Sequence, residues 1–448
     1  MVSSPAAGMA SSKGLTFQGC CDQIGLSTCP ESGVAFKFIH TADIHLDSPL
    51  KSLAMRDKGL AELVGNATRT VLSRLIDLCI AEQVHALLIA GDLYDGAQTS
   101  MKTARFLAQE LERLSAAEIP VFIIRGNHDS LSKITRELVL PKSVHVFGEK
   151  ASVHEIPLNG HDVAIHGISF RLPHAPDSLL EQFHPPLPGA FNIGMLHTSL
   201  GGVVGHDSYA PCSLNDLQKT GFDYWALGHI HKRSVHAGRP TITMPGIPQG
   251  RDIGESGTKS VTYVSVSDDG TVDTTERNIS VAQFELIQID CTGLSEWDEL
   301  VTHISYHVSE TRRHFDGEHL ILRLRLTGAS PMAWRALRDE DLILAQAQNV
   351  AASIGTLWID KIEIHLTDAA NDTAYGPIAE ISDLMNEIDF RADEKRIHEE
   401  VKRLMSKLPP ELRGILGESE TQVDSFLQKE MQLGAREILT RLDGSEEL

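Results

Sequence analysis

Ala86-Leu87-Leu88-Ile89-Ala90-Gly91-Asp92-Leu93-Tyr94-Asp95 decides how this chain folds. Five apolar residues without polar alternation describe a strand covered on both faces, and a carboxylate stands just past its glycine. Residues on either side are spaced as helices. The stretch 66–83 carries Val71, Leu72, Leu75, Ile76, Leu78 and Cys79, and 100–117 reads as a second helix. Beyond them lie two more apolar strands, 34–40 and 121–124. After Val144 the pattern changes to short strands between turns, at 152–156, 163–168, 192–196, 224–227, 234–237, 242–244 and 260–266. The expected fold is α/β, a sandwich of two sheets flanked by helices.

Near Ser280 a smaller α+β unit begins, with strands at 284–289, 319–326 and 358–366 and helices at 295–308 and 341–352. Phe284, Leu286, Ile287 and Ile289 in its first strand, and Leu320, Leu322, Leu324 and Leu326 in its second, predict a sheet with one buried face. The polar run Asp368-Ala369-Ala370-Asn371-Asp372 leads into a helical segment. There Ile397, Val401, Leu404, Met405 and Leu408 share a face until Pro409-Pro410 stops the helix, and a second apolar stripe starts at Val423. The expected division is an N-terminal extension, 1–33, a main domain, 34–280, a small α+β domain, 281–370, and a helical segment, 371–448.

A chain of 448 residues that is 42% hydrophobic predicts a multidomain globular protein. No run approaches the roughly 18 uncharged apolar residues of a spanning helix, and residues 1–33 lack the basic start and apolar core of a secretion signal. The six cysteines are Cys20, Cys21, Cys29, Cys79, Cys212 and Cys291; their irregular spacing fits a reduced, cytoplasmic protein better than a disulfide framework. The net charge of −21 argues against a nucleic-acid substrate, since phosphates are normally met by Lys and Arg. Part of that charge lies in residues 377–448, with 10 basic and 17 acidic residues, and two divalent ions would add about four positive charges where a phosphate binds.

Five signals stand in order at the ends of apolar strands: Asp43-Ile44-His45, Gly91-Asp92-Leu93-Tyr94-Asp95, Gly126-Asn127-His128-Asp129, Met195-Leu196-His197 and Gly228-His229-Ile230-His231. Functional side chains of open α/β sheets gather at the carboxyl ends of strands. This set supplies hard oxygens, imidazoles and one carboxylate, Asp92, placed to be shared, as a two-ion hydrolytic centre requires. Asp43 and His45 lie two apart, so an extended backbone would turn both to one side, and likewise His229 and His231. Asn127 offers a neutral oxygen and His197 a further imidazole. His128 beside Asn127 is the candidate general acid, with Asp95 to orient it. Asp95 and Asp129 equally fit the plainer role of bracing a loop. Any one motif is common by chance; five in order are not.

This set resembles the calcineurin-like metallophosphoesterases over residues 36–266. Within that superfamily, the stretch from Phe38 to Asp47 and Gly126-Asn127-His128-Asp129 look like SbcD-type DNA repair exonucleases. The stretches from His206 to Cys212 and from Pro245 to Arg251 look closer to a YhaO-like branch. The resemblance implies cleavage of DNA phosphodiesters with two divalent ions, Mn²⁺. Asp43, His45, Asp92 and His231 would hold one ion, and Asp92, Asn127, His197 and His229 the other. It further implies that the α+β unit caps the site and that the C-terminal helices dock an SbcC-type coiled-coil ATPase. A homodimer is also expected. Serine/threonine phosphatases of the superfamily carry Glu and Arg where this chain has Asp129 and Gly96, which argues against phosphoprotein substrates.

His206, Tyr209 and Arg251 are candidates to touch substrate, against the plainer reading of a surface loop with a packed tyrosine. Arg323 and Arg325 alternate along a strand; they either reach phosphates or form a solvated sheet face. His40, His85, His145, His161 and His166 read as structural. No Gly-x-x-x-x-Gly-Lys-[Ser/Thr] loop occurs, so an ATP-driven step would need the partner. A small-molecule phosphodiesterase, acting on cyclic nucleotides or nucleotide conjugates, is the alternative that the negative charge suggests.

Overall fold

The apolar runs become buried strands in the computed structural model, which describes residues 33–48, 65–94, 100–130, 139–201, 209–315 and 317–367, with position 63 and isolated helical positions between 396 and 434. β1 (Val34–Thr41), β2 (Ala86–Ala90), β3 (Val121–Ile124) and β4 (Val144–Val146) lie side by side and parallel. β5 (Ser152–Leu158), β6 (His161–Gly167), β7 (Phe191–His197), β8 (Tyr224–Gly228), β9 (Ser234–His236) and β10 (Thr241–Met244) form a second sheet, ordered β5-β6-β7-β8-β10-β9. Its central strands β6, β7, β8 and β10 are parallel. β11 (Ser260–Ser267) and β12 (Val272–Asn278) return antiparallel to the edge of the first sheet, giving β12-β11-β1-β2-β3-β4.

Apolar layers cover the inner and outer faces of the first sheet. Phe38, Leu88, Phe122 and Ile124 of the first sheet pack on Ile165, Ile193, Met195 and Tyr224 of the second. On the outer face, Ile39, Leu87, Ile89, Val121 and Ile123 pack on the helices Ala67–Ala81 and Met101–Ala116 through Val71, Leu75, Leu107 and Leu111. Because β1, β2 and β3 are covered on both faces, their sequences show no alternation. β12 was not legible: Val272-Asp273-Thr274-Thr275-Glu276-Arg277-Asn278 is a half-exposed edge strand, placed mainly by backbone pairing to β11, with Val272 its one apolar contact to the inner core.

Among the described residues, the third sheet holds β13 (Ala282–Asp290), β14 (His319–Ala329) and β15 (Leu357–Thr367), all parallel. The helices Trp297–Arg313 and Glu340–Ile354 cover the face formed by Leu320, Leu322, Leu324 and Leu326. The alternation expected in β13 needs correction. Leu286 is exposed, and Phe284, with Ile321 of β14, joins the outer core of the first sheet instead of the core under the third sheet's helices. Phe284 therefore pins this unit to the sandwich.

Arg323 and Arg325 are held by carboxylates of β15. Arg323 Nε donates to Asp360 at 2.9 Å, and Arg325 Nε to Glu363 at 2.9 Å. Cys79, Cys212 and Cys291 are buried free thiols. Cys20, Cys21, Cys29 and most of both C-terminal stripes lie outside the described residues. Among the described residues, no helix is long and apolar enough to cross a membrane.

Candidate metal centre

The pairing of β1 with β2 continues past both strands, and this brings the first two motifs together. Asp43 N–H donates to Gly91 O at 3.0 Å, His45 N–H to Asp92 O at 3.0 Å and Leu46 N–H to Leu93 O at 2.9 Å. The extended backbone expected at Asp43 and His45 is not found. Their φ values are 54° and 46°, with Asp92 at 51° and His229 at 101°. Four of the candidate ligands thus sit at positive φ, where L-residues are strained and the surrounding fold must hold them. What turns both side chains inward is this left-handed kink, and not the alternation of a strand.

The carboxylates are fixed by backbone donors. His229 N–H donates to Asp43 Oδ2 at 2.9 Å, and His128 N–H to Asp92 Oδ1 at 2.9 Å. His197 spends its Nδ1 proton on Ala90 O at 3.0 Å. That leaves Nε2 facing Asn127 Oδ1 at 3.0 Å and Asp92 Oδ2 at 3.3 Å. On the other side, His45 Nε2 and His231 Nε2 stand 3.2 Å apart, with Asp43 Oδ1 3.8 Å from His231 Nε2. Gly126 and Gly91 are small because the ligands fill the space. A Cβ on Gly126 would meet Asp92 Oδ1 at 2.3 Å, and one on Gly91 would meet His197 Nδ1 at 2.3 Å.

Donor atoms of Asp43, His45 and His231 lie within 4.8 Å of one another, and so do those of Asp43, Asp92 and His197 and those of His45, Asp92 and His128. Burial pushes the Asp43 carboxyl up to about 6 and the imidazoles of His45 and His229 down to about 3. Burial also opposes charge on Asp92 and His197. Their mutual attraction outweighs it, so Asp92 falls well below the usual carboxylate range and His197 rises to about 9. Imidazoles, two carboxylates and an amide oxygen, converging in a largely buried space, are the donor chemistry of hard or borderline divalent cations. The residues therefore fit the implied ions.

This centre, on a two-sheet α/β frame, has counterparts. The calcineurin-like phosphoesterase family matches residues 36–233, and the middle domain of metallophosphoesterase YhaO matches residues 284–367. The metallophosphoesterase YhaO of Bacillus subtilis is 32% identical over 377 residues, covering 82% of this chain and 90% of that protein. The chain belongs to the calcineurin-like metallophosphoesterases, in the YhaO family. It is an enzyme that hydrolyses phosphoester bonds and uses divalent metal ions. The DNA double-strand break repair protein Mre11 of Sulfurisphaera tokodaii is 28% identical over 280 residues, covering 58% of this chain and 67% of that protein. The Mre11 of Saccharolobus solfataricus is 28% identical over 212 residues, covering 44% of this chain and 50% of its own length.

The other site residues of this metallophosphoesterase fall in different places. His128 is exposed at the mouth of the centre, its ring 4.9 Å from that of His45. Asp129 is buried and braces two loops, accepting from Gly126 N–H at 2.6 Å and Leu93 N–H at 3.0 Å. Burial and the nearby Asp92 charge push it up to about 7. Tyr209 stacks at a tilt 5.0 Å from the His229 ring. Asp95 and His206 lie outside the described residues. His40 is structural, as expected: it is fully buried, with its ring nitrogens on Tyr224 OH and Leu227 O at 3.0 Å each.

Glu255 is the functional neighbour that the sequence did not give away. It ends a 3-10 turn, Ile253–Glu255, and its Oε1 lies 2.6 Å from His231 Nδ1. Arg251, a candidate for touching substrate, donates to the same carboxylate from Nη2 at 2.7 Å and from its backbone N–H at 2.7 Å. Burial opposes the Glu255 charge, but these donors hold its carboxyl well below the usual range. No local spacing links Glu255 to a histidine 24 positions earlier.

Proposed function

We propose that this metallophosphoesterase is a Mn²⁺-dependent DNA nuclease that cleaves phosphodiester bonds as a repair exonuclease or endonuclease, in the cytoplasm, with a coiled-coil ATPase of the SbcC kind. The observation that carries the proposal is the exposed imidazole of His128 beside a largely buried set of donors that form three overlapping triads. Asp43, His45, Asp92 and His231 would hold one ion, and Asp92, Asn127, His197 and His229 the second. Bound ions supply a water nucleophile near neutral pH and offset phosphoryl charge. The chain does the rest. Backbone donors keep the carboxylates from turning away, and His128 gives its proton to the leaving oxygen. Asp95 is assigned to orient His128, and Tyr209 to line the substrate path beside His229.

The family relation to double-strand break repair proteins supports DNA as substrate. The ATPase and a homodimer belong to the same reading. One set of observations favours the second reading, a small-molecule phosphodiesterase: the net charge is −21, and Arg323 and Arg325 are engaged by carboxylates. The test is metal-stripped protein plus Mn²⁺ on end-labelled linear duplex DNA, with and without the ATPase partner, beside His128→Ala checked for retained metal. Shortening by the wild type, reduced about 10²–10⁴-fold in the variant, is expected. Intact DNA in all mixtures, with turnover of a bis-aryl phosphate, would replace the nuclease reading by the second one.

A further inference from the structure

Glu255 touches no donor atom directed at the ions; it touches the far nitrogen of one ligand. His231 Nε2 faces Asp43 and His45, so its Nδ1 must carry the proton if Nε2 is to offer a lone pair. Glu255 Oε1, 2.6 Å from Nδ1, accepts that proton. A competitor stands beside it. Arg251 Nη2 is 3.3 Å from the same Nδ1. As a donor, it would favour the opposite tautomer, with the proton on Nε2 and no ligand lone pair. Glu255 answers both problems, because it also takes Arg251 Nη2 at 2.7 Å and Nε at 3.1 Å.

The carboxylate is itself anchored to the third sheet. Gln249, 1% exposed, donates to Ala282 O at 2.8 Å and accepts from Val281 N–H at 2.9 Å. Gly257 N–H donates to Phe284 O at 3.1 Å, so the loop carrying Arg251 and Glu255 is clamped at both ends against β13. Gly250 is tight within it: a Cβ there would meet Glu255 O at 3.0 Å.

We infer that Glu255 is a positioning residue that sets the His231 tautomer for one of the two ions and shields that imidazole from Arg251. The inference rests on the metal-dependent chemistry and not on DNA as substrate. It is read without any substrate, so its failure and the failure of the nuclease reading are separate results.

The test is calorimetric titration of full-length, metal-stripped protein with Mn²⁺. Wild type is expected to take two ions per chain. In Glu255→Ala one ion weakens about 10–100-fold while the other keeps its affinity. Glu255→Gln, whose amide oxygen still accepts the Nδ1 proton, stays within a few-fold of wild type. Adding Arg251→Met to Glu255→Ala recovers part of the loss, a result that a merely structural role would not produce. The inference is overturned if Glu255→Ala titrates like wild type, or if Glu255→Gln loses as much as Ala. Loss of both ions together with a lower melting temperature of the metal-free protein would overturn it too, as would a double variant no better than Glu255→Ala.

Discussion

Gly126→Ala tests whether the donor set is as tightly assembled as its distances say. Gly126 has an ordinary φ, so the substitution brings no backbone penalty and acts only through the added methyl. That methyl would sit 2.3 Å from Asp92 Oδ1, 2.7 Å from His197 Cε1 and 2.7 Å from His197 Nε2. Ordinary contact needs roughly 1 Å more. Neither neighbour gives way easily: Asp92 accepts from His128 N–H and His197 is tied to Ala90 O. Overpacking of this kind costs about 1–3 kcal/mol of stability. A ligand shift of roughly 1 Å also exceeds the few tenths of an ångström that coordination tolerates. The expectation is a folded protein whose Mn²⁺ affinity falls at least about tenfold at both of the proposed sites, since the proposal shares Asp92 between them. Calorimetry on metal-free protein reads the affinity and denaturant melts read the fold. Gly148→Ala, where nothing lies within 4 Å, is the control. Two ions bound by Gly126→Ala with wild-type affinity would refute the reasoning.

Asp129→Ala strands the N–H groups of Gly126 and Leu93. At about 1–3 kcal/mol for each buried donor, denaturant titration is expected to read a loss of about 2–6 kcal/mol; a loss below about 1 kcal/mol would remove the bracing role. His40, lowered to about 3 by burial, binds its proton in the unfolded chain near 6.5 but not in the folded one. Its contribution is therefore complete above that unfolded value and is lost as pH falls toward 3, at about 1.4 kcal/mol per pH unit. Stability of the metal-free protein between pH 6.5 and 4.5 should fall more steeply for wild type than for His40→Gln, and parallel slopes would count against this account.

Much of the site was legible because each motif follows an apolar strand. Asp43 follows β1, Asp92 follows β2, Asn127 follows β3, His197 closes β7 and His229 follows β8. Parallel strands in facing sheets send their carboxyl ends the same way, so motifs over a hundred residues apart converge. For Asp43 and His45 the alternation of a strand was the wrong reason, because the left-handed backbone at this strand end leaves only a weak composition signal in non-glycine residues. Arg323 and Arg325 were open to two readings, since their partners Asp360 and Glu363 come from the neighbouring strand and pairing across a sheet is not written in either strand alone.

The sequence by itself determined the donor types, their order and the buried strands that carry them, since these depend on local chemistry and on the period of apolar residues. Only the tertiary structure decided which nitrogen of each imidazole faces the ions. That choice is made by groups distant in the chain, Ala90 O for His197 and Glu255 for His231. A ring's tautomer follows whatever its far nitrogen meets, and that is known only once the chain has folded.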